Sequence, residues 1–174
     1  MTLTAFVGRP VQEVAKLLAA DAPVVITGVH NNKDDRVVVN LEVPLGNEGA
    51  VSRTAALTLG VAQWDHGRFR LPLAVSAVER EHWFPTFTGA LEADDVGVGD
   101  TRLRLTGTYE LPLGALGRMT GRAGADKLAR ASLYSLFVAT VTAVEEELRE
   151  STPAWRPAAG AEVVRSDDDH PLGL

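Results

Sequence analysis

Few side chains in this sequence are suited to chemistry. Cysteine is absent, which removes thiol nucleophiles, disulfides and thiolate metal sites together. The four histidines, His30, His66, His82 and His170, show no H-E-x-x-H or other metal-ligand spacing. No metal and no cofactor is therefore expected. His66 and His82 fall in polar connections, and each reads either as a general acid or base beside a pocket mouth or as a solvated loop residue. Arg53 stands between Val51 and Ala55, in the apolar register of an alternating segment. A cation there either marks an anion or carbonyl site or reaches water from a strand end. Tyr109 is the other polar group in such a register; its hydroxyl either orients a ligand or bonds the backbone while the ring packs as core.

Two further patterns bear on phosphate and nucleophile chemistry. The glycine-rich run Gly114–Lys127 follows a strand and opens a helix, a place where backbone amides bind anions. It lacks both the Gly-Lys-Ser/Thr ending of a Walker loop and the G-x-G-x-x-G spacing, so it reads as a turn that lets the last helix dock, although Arg118 and Arg122 leave an anion site open. No G-x-S-x-G elbow is present. The run Glu145–Glu147 reads as a solvated helix face rather than a pair of catalytic carboxylates.

The elements that must position these residues follow from hydrophobic periodicity. At 174 residues the chain predicts one domain, with 45% hydrophobic and 23% charged residues. Strict period-two alternation marks strands over 36–43, 51–59, 68–79 and 101–111, with a less regular one over 83–92. The connections between them (30–35, 45–50, 62–67, 80–82 and 93–100) are too short for parallel crossovers, so the sheet is an antiparallel meander with one dry face. Thr2–Phe6 and Val24–Val29 are expected as further strands, separated by a short helix over Pro10–Ala20. A long helix over Ala125–Arg149 carries its apolar stripe on Leu133, Leu136, Phe137, Thr140, Val141, Val144 and Leu148. Beside it runs a line of small residues, Ala131, Ser135, Ala139 and Thr142, expected to face the curved sheet, where they either leave space between the layers or are filled in by neighbouring side chains. At about 38 Å the helix is long enough to cross the dry face of the sheet. Asp126 suits its positive N-terminal end. Residues 1–150 are expected as the domain, and 151–174, with three prolines and Asp167–Asp169, as an acidic tail with little structure of its own.

Charge narrows the partners. The net charge is −6 and no basic cluster stands out, against a nucleic-acid partner. No basic n-region precedes an apolar run, and no apolar run approaches the ~20 residues of a membrane span. No membrane insertion is expected, and the expected compartment is the cytoplasm.

The stretch Leu103–Arg118 reads L-R-L-T-G-T-Y-E-L-P-L-G-A-L-G-R and leads into the long helix. Its Gly107, Tyr109, Pro112 and Gly114, with Gly117 following, match a strand-to-helix pattern of the START/polyketide-cyclase (SRPBCC) superfamily, which the chain resembles over about 36–150. The family's usual second short helix before the second strand is not found in the sequence. The resemblance implies a helix-grip α+β fold, a curved antiparallel sheet of about seven strands wrapped around a long C-terminal helix, and an apolar cavity between them. Such a cavity would be lined by Leu57, Phe69, Leu73, Phe87, Leu103, Leu105, Tyr109, Leu133, Phe137 and Val141, with Arg53 as a further ligand-binding residue. It implies binding of a hydrophobic or amphipathic small molecule, such as a lipid, isoprenoid or polyketide-like compound. Two other readings stand beside it: a cyclase/aromatase-type enzyme using the same cavity, with Arg53, Tyr109 or a rim histidine polarising a carbonyl, and a protein-interaction module without a ligand. No recognisable catalytic set decides between them.

Overall fold

The computed structural model describes residues 1–27, 36–44, 50–78, 86–110 and 121–151; at Arg53 and a few other positions only the backbone is described. Among the described residues seven strands form one antiparallel sheet: β1 (Thr2–Val7), β2 (Arg36–Pro44), β3 (Ala50–Leu59), β4 (Gln63–Asp65), β5 (Arg68–Ala77), β6 (Thr86–Gly97) and β7 (Asp100–Glu110). Their order is β1-β7-β6-β5-β3-β2, with β4 paired to β5 beyond the end of β3. Helix α1 (Val11–Thr27) follows β1, and helix α2 (Gly121–Glu150) closes the described chain.

The expected strand at Val24–Val29 is instead helix as far as Thr27, with 28 and 29 outside the described residues. Val11, Val14, Ala15, Leu18, Ala22, Val25 and Ile26 are all buried, and their spacing keeps the helical period throughout. Helix α1 breaks at Asp21 (φ −129°, ψ 23°) and resumes with Pro23 in its first turn, where a missing N–H costs little. The second short helix missed in the sequence is this continuation. Two other boundaries move. The 62–67 connection contains β4. The expected 93–100 connection shrinks because β6 runs on to Gly97, with a bulge between Asp95 and Gly97. Its acidic residues stay on the strand because arginines stand opposite: Asp94 faces Arg68 on one side and Arg102 on the other. The turn that remains is unusual. Gly97, Val98 and Gly99 all have positive φ, and Val98 (φ 59°) is fully exposed; a β-branched residue in this region is strained.

The core lies between the dry face of the sheet and both helices. Helix α2 comes closest to the sheet at its two edges, β2 on one side and β1 and β7 on the other, and packs along α1. Helix α1 in turn lies against β2, β5, β6 and β7. Cover of the dry face, expected from α2 alone, is thus shared. The inward stripe of α2 is as expected at Leu133, Leu136, Phe137, Thr140, Val144 and Leu148, with Val141 half-buried. The line of small residues is not inward. Ala139 and Thr142 are exposed, Ala131 and Ser135 half-buried, and the small residues on the inner face are Ala129 and Ser132. The helix is rotated so that its bulky stripe takes the inner position.

One pair of glycines shapes the sheet. Gly89 of β6 and Gly107 of β7 stand directly opposite each other on the dry side. A Cβ on Gly107 would lie 2.4 Å from the Thr88 carbonyl oxygen and 2.6 Å from the Phe87 ring; one on Gly89 would lie 2.2 Å from the Thr106 oxygen. The Phe87 ring occupies the space that two missing side chains leave.

Candidate functional site

The dry face supplies the apolar part of the candidate site. Register aligns Leu103, Ala93 and Phe69 in one row, Leu105, Leu91 and Leu71 in the next, and Tyr109, Phe87, Val75 and Leu57 further along. Of the residues expected to line a cavity, Leu57, Phe69, Leu73, Phe87, Leu103, Leu105, Leu133 and Phe137 are buried in one cluster, and Tyr109 and Val141 pack against it half-buried. Phe87 differs from the others because it rests on the glycine pair and is committed to the sheet. The backbone of Arg53 pairs with Leu41, at the same end of the sheet as Tyr109; its side chain lies outside the described residues.

Tyr109 anchors the polar part. It sits one residue before the end of β7, where the strand stops and the chain leaves for α2. One helical turn separates Asp126 from Arg130, so both project from the same side of α2. The Tyr109 hydroxyl donates to Asp126 Oδ1. Arg130 Nε donates to the same hydroxyl at 3.1 Å and to Asp126 Oδ2 at 2.9 Å. The phenol is thus both donor and acceptor, in a closed three-membered set joining sheet to helix. Its hydrogen bond to Asp126 and its burial push the Tyr109 hydroxyl above the ordinary tyrosine range, against the opposing pull of Arg130. The Asp126 carboxyl is held below the usual carboxylate range by Tyr109 and Arg130. At neutral pH the arrangement holds a protonated phenol, a carboxylate and a guanidinium at the border of an apolar core. Such a set can orient the polar end of an amphipathic molecule or donate to a carbonyl oxygen.

The sequence pattern did not single out Arg130, and it assigned Asp126 to the helix dipole. Helix α2 starts at Gly121, four residues earlier than expected, which places Asp126 beyond the first turn. The signal available was an acid–base pair four residues apart facing an inward tyrosine. His66 lies elsewhere. It is exposed in the β4–β5 turn (φ 47°), 2.5 Å from Asp65, and about seven residue steps along the sheet from the Tyr109 row, ~23 Å. His30, His82, His170, the 114–120 part of the glycine-rich run and the tail beyond Ser151 lie outside the described residues. Among the described residues no three His, Asp or Glu side chains gather as metal ligands, and no helix is long and apolar enough to cross a membrane.

The opposite, wet face carries an ion-pair ladder. Arg70 Nη1 meets Glu92 Oε1 at 2.7 Å, and Arg102 binds Asp94 with two nitrogens. Arg104 sits between the two carboxylates, 3.5 Å from Glu92 and 3.4 Å from Asp94. Burial alone would raise the Asp94 carboxyl, but its bond to Arg102 and the charges of Arg102, Arg104 and Arg68 hold it below the usual range.

This architecture is that of the START/polyketide-cyclase helix-grip fold. Among solved structures the chain is similar to the Zhui aromatase/cyclase from Streptomyces sp. R1128, with a TM-score of 0.55 and 20% identity over 92% of this chain and 96% of that one. It is also similar to a conserved protein from Geobacillus kaustophilus, with a TM-score of 0.54 and 14% identity over 84% and 95% of the two chains. A protein from Thermus thermophilus aligns with a TM-score of 0.50 and 19% identity over 87% and 99%. At these identities the likeness extends to the fold. No protein-family model and no curated protein matches the sequence.

Proposed function

We propose that residues 1–150 bind a hydrophobic or amphipathic small molecule, of the lipid, isoprenoid or polyketide-like class, between the sheet and α2. The observation that carries this reading is the polar set of Tyr109, Asp126 and Arg130 at the border of the apolar cluster, where α2 meets the sheet at β2, β1 and β7. Tyr109 and Arg130 supply polar groups at one end, and the backbone of Arg53 lies on β3 four residues beyond the Tyr109 row. Affinity comes mainly from desolvation, at ~25 cal/mol per Å², so ~300 Å² of buried ligand supplies several kcal/mol before ordering costs. Residues 151–174 are not needed for binding. The absence of cysteine suits a reducing cytoplasm.

The test is native mass spectrometry of the protein purified from its own host, followed by titration with the co-purifying molecule. Leu105→Arg, in a variant confirmed as folded, abolishes binding, whereas a stop at Thr152 preserves it. Val141→Phe, which adds bulk where the helix is only half-buried, weakens binding without a buried charge. A folded Leu105→Arg protein that keeps its ligand refutes the site.

A second reading is favoured by one observation, the closed hydrogen-bonded set in which Tyr109 and Asp126 hold Arg130 at the border of the apolar cluster. In a cyclase/aromatase-type enzyme the remaining N–H groups of Arg130, positioned by Tyr109 and Asp126, would polarise a carbonyl of a folded polyketide-like chain. Tyr109→Phe then lowers kcat far more than ligand affinity; a pure binding protein shows only the affinity change.

A further inference from the structure

From Ala131 to Val144, about four turns or ~21 Å, helix α2 has no charged residue on any side. Only one side of this stretch is needed for the core. The other carries Tyr134 and Val138, both exposed, one turn apart, continued by exposed Ala139 and Thr142 and half-buried Ala131 and Ser135. A surface helix ordinarily places charges on its solvent side, and one that is uncharged all round is ordinarily covered all round.

The charges that flank this stretch identify what covers it. Exposed Lys127 and Arg130 precede it, whereas Glu145, Glu146 and Glu147 follow it and are exposed. The glutamates stand towards the C-terminal end of their own helix, where the helix dipole disfavours them. A second α2 laid antiparallel reverses this order and matches opposite signs at both ends. A two-fold axis passing beside Leu136 sets Tyr134 on the partner's Val138 and Lys127 on the partner's Glu145, and the reciprocal contacts follow from symmetry.

We propose that this outer face of α2 is a self-complementary interface and that the chain forms a two-fold dimer through it. One helix face buries less than the ~1,200 Å² total of a standard interface, so the dimer is weak, with a Kd on the order of micromolar. Small side chains at 131, 135 and 139 allow the two helices to approach closely. The interface lies on the opposite side of α2 from the core, so dimerisation and small-molecule binding do not compete.

The experiment is sedimentation velocity on the full-length chain from ~1 to ~200 µM, with thermal unfolding of each variant as a folding control. The wild-type chain passes from monomer to dimer over this range. Val138→Asp abolishes the dimer with little change in Tm, because the site is exposed. Lys127→Glu and Glu145→Lys each weaken the dimer about tenfold, because each loses two attractive pairs and gains two repulsive ones. Mixing these two variants restores association, since each heterodimer contact again joins opposite charges. A wild-type chain that remains monomeric at 200 µM overturns the proposal and assigns the face to the chain's own residues outside the described set or to a different partner. A dimer indifferent to Val138→Asp, or a mixture no tighter than its components, overturns it as well.

Discussion

The two faces of the sheet are held by different forces. On the dry face, Phe69, Leu91, Leu103 and Leu105 pack with both helices, and the central feature is a vacancy: two opposed glycines whose space one phenylalanine ring fills. On the wet face, Glu92 and Asp94 of β6 are flanked by Arg68 and Arg70 of β5 and Arg102 and Arg104 of β7. The first arrangement depends on contact geometry and tolerates almost no added atom. The second depends on charges partly in water, where each pair is worth little and the network matters more than any member. Neighbouring positions on one strand, Phe87 and Thr88 or Ala93 and Asp94, therefore belong to different regimes.

The contrast can be broken most severely at the glycine pair. Gly107→Ala places a methyl group 2.4 Å from a backbone oxygen, which cannot move without disrupting β6, so a loss of ~3 kcal/mol or more, or failure to fold, is expected in urea denaturation. Phe87→Ala empties the same space from the other side and costs about 3–5 kcal/mol. A Gly107→Ala/Phe87→Ala double variant that loses less than the sum of the two would sharpen the point, because the ring is one of the atoms that the new methyl meets. On the wet face, Asp94→Asn leaves four arginines around one carboxylate, and the cost is only about 1 kcal/mol and shrinks with added salt. If Asp94→Asn proves as damaging as Phe87→Ala, the distinction between the faces fails.

The smallest effects are those of pH. Asp94 and Asp126 have folded-state pKa values below their unfolded values, so each adds stability that is complete above about pH 4 and is lost as pH falls below it. Tyr109 is raised; its contribution is complete below about pH 10 and is lost as pH climbs past that value. Thermal unfolding followed from pH 7 to pH 2.5 checks the acid limb, and Tyr109→Phe removes the alkaline one together with the Asp126 contribution that depends on its hydrogen bond.

Much of this plan was legible in the residues. Period-two alternation located β2, β3, β5 and β7, because each has one dry and one wet side, and the spacing from Leu133 to Leu148 gave the inner stripe of α2. The second half of α1 was misread because Val24, Val25 and Ile26 form a short apolar run that suits a strand equally well; only the longer period from Val11 onward separates the two. The full length of β6 was obscured by Ala93–Asp100, whose acids and glycines resemble a loop until the arginines of β5 and β7 are set beside them. The polar set at Tyr109 escaped notice because its members come from two elements, and Arg130 has no distinctive neighbours in sequence. The direction of the small-residue line on α2 depends on how the helix is rotated, which the bulkier stripe decides.

Val98 is strained at the tip of a hairpin, fully exposed, with nothing around its side chain that would recommend valine there. The strands on either side are already fastened by their arginines and carboxylates, so the tip is open to redesign. A glycine at 98 should relieve the backbone, and a fluorophore tether or grafted peptide could be spliced in at that point without disturbing the interior.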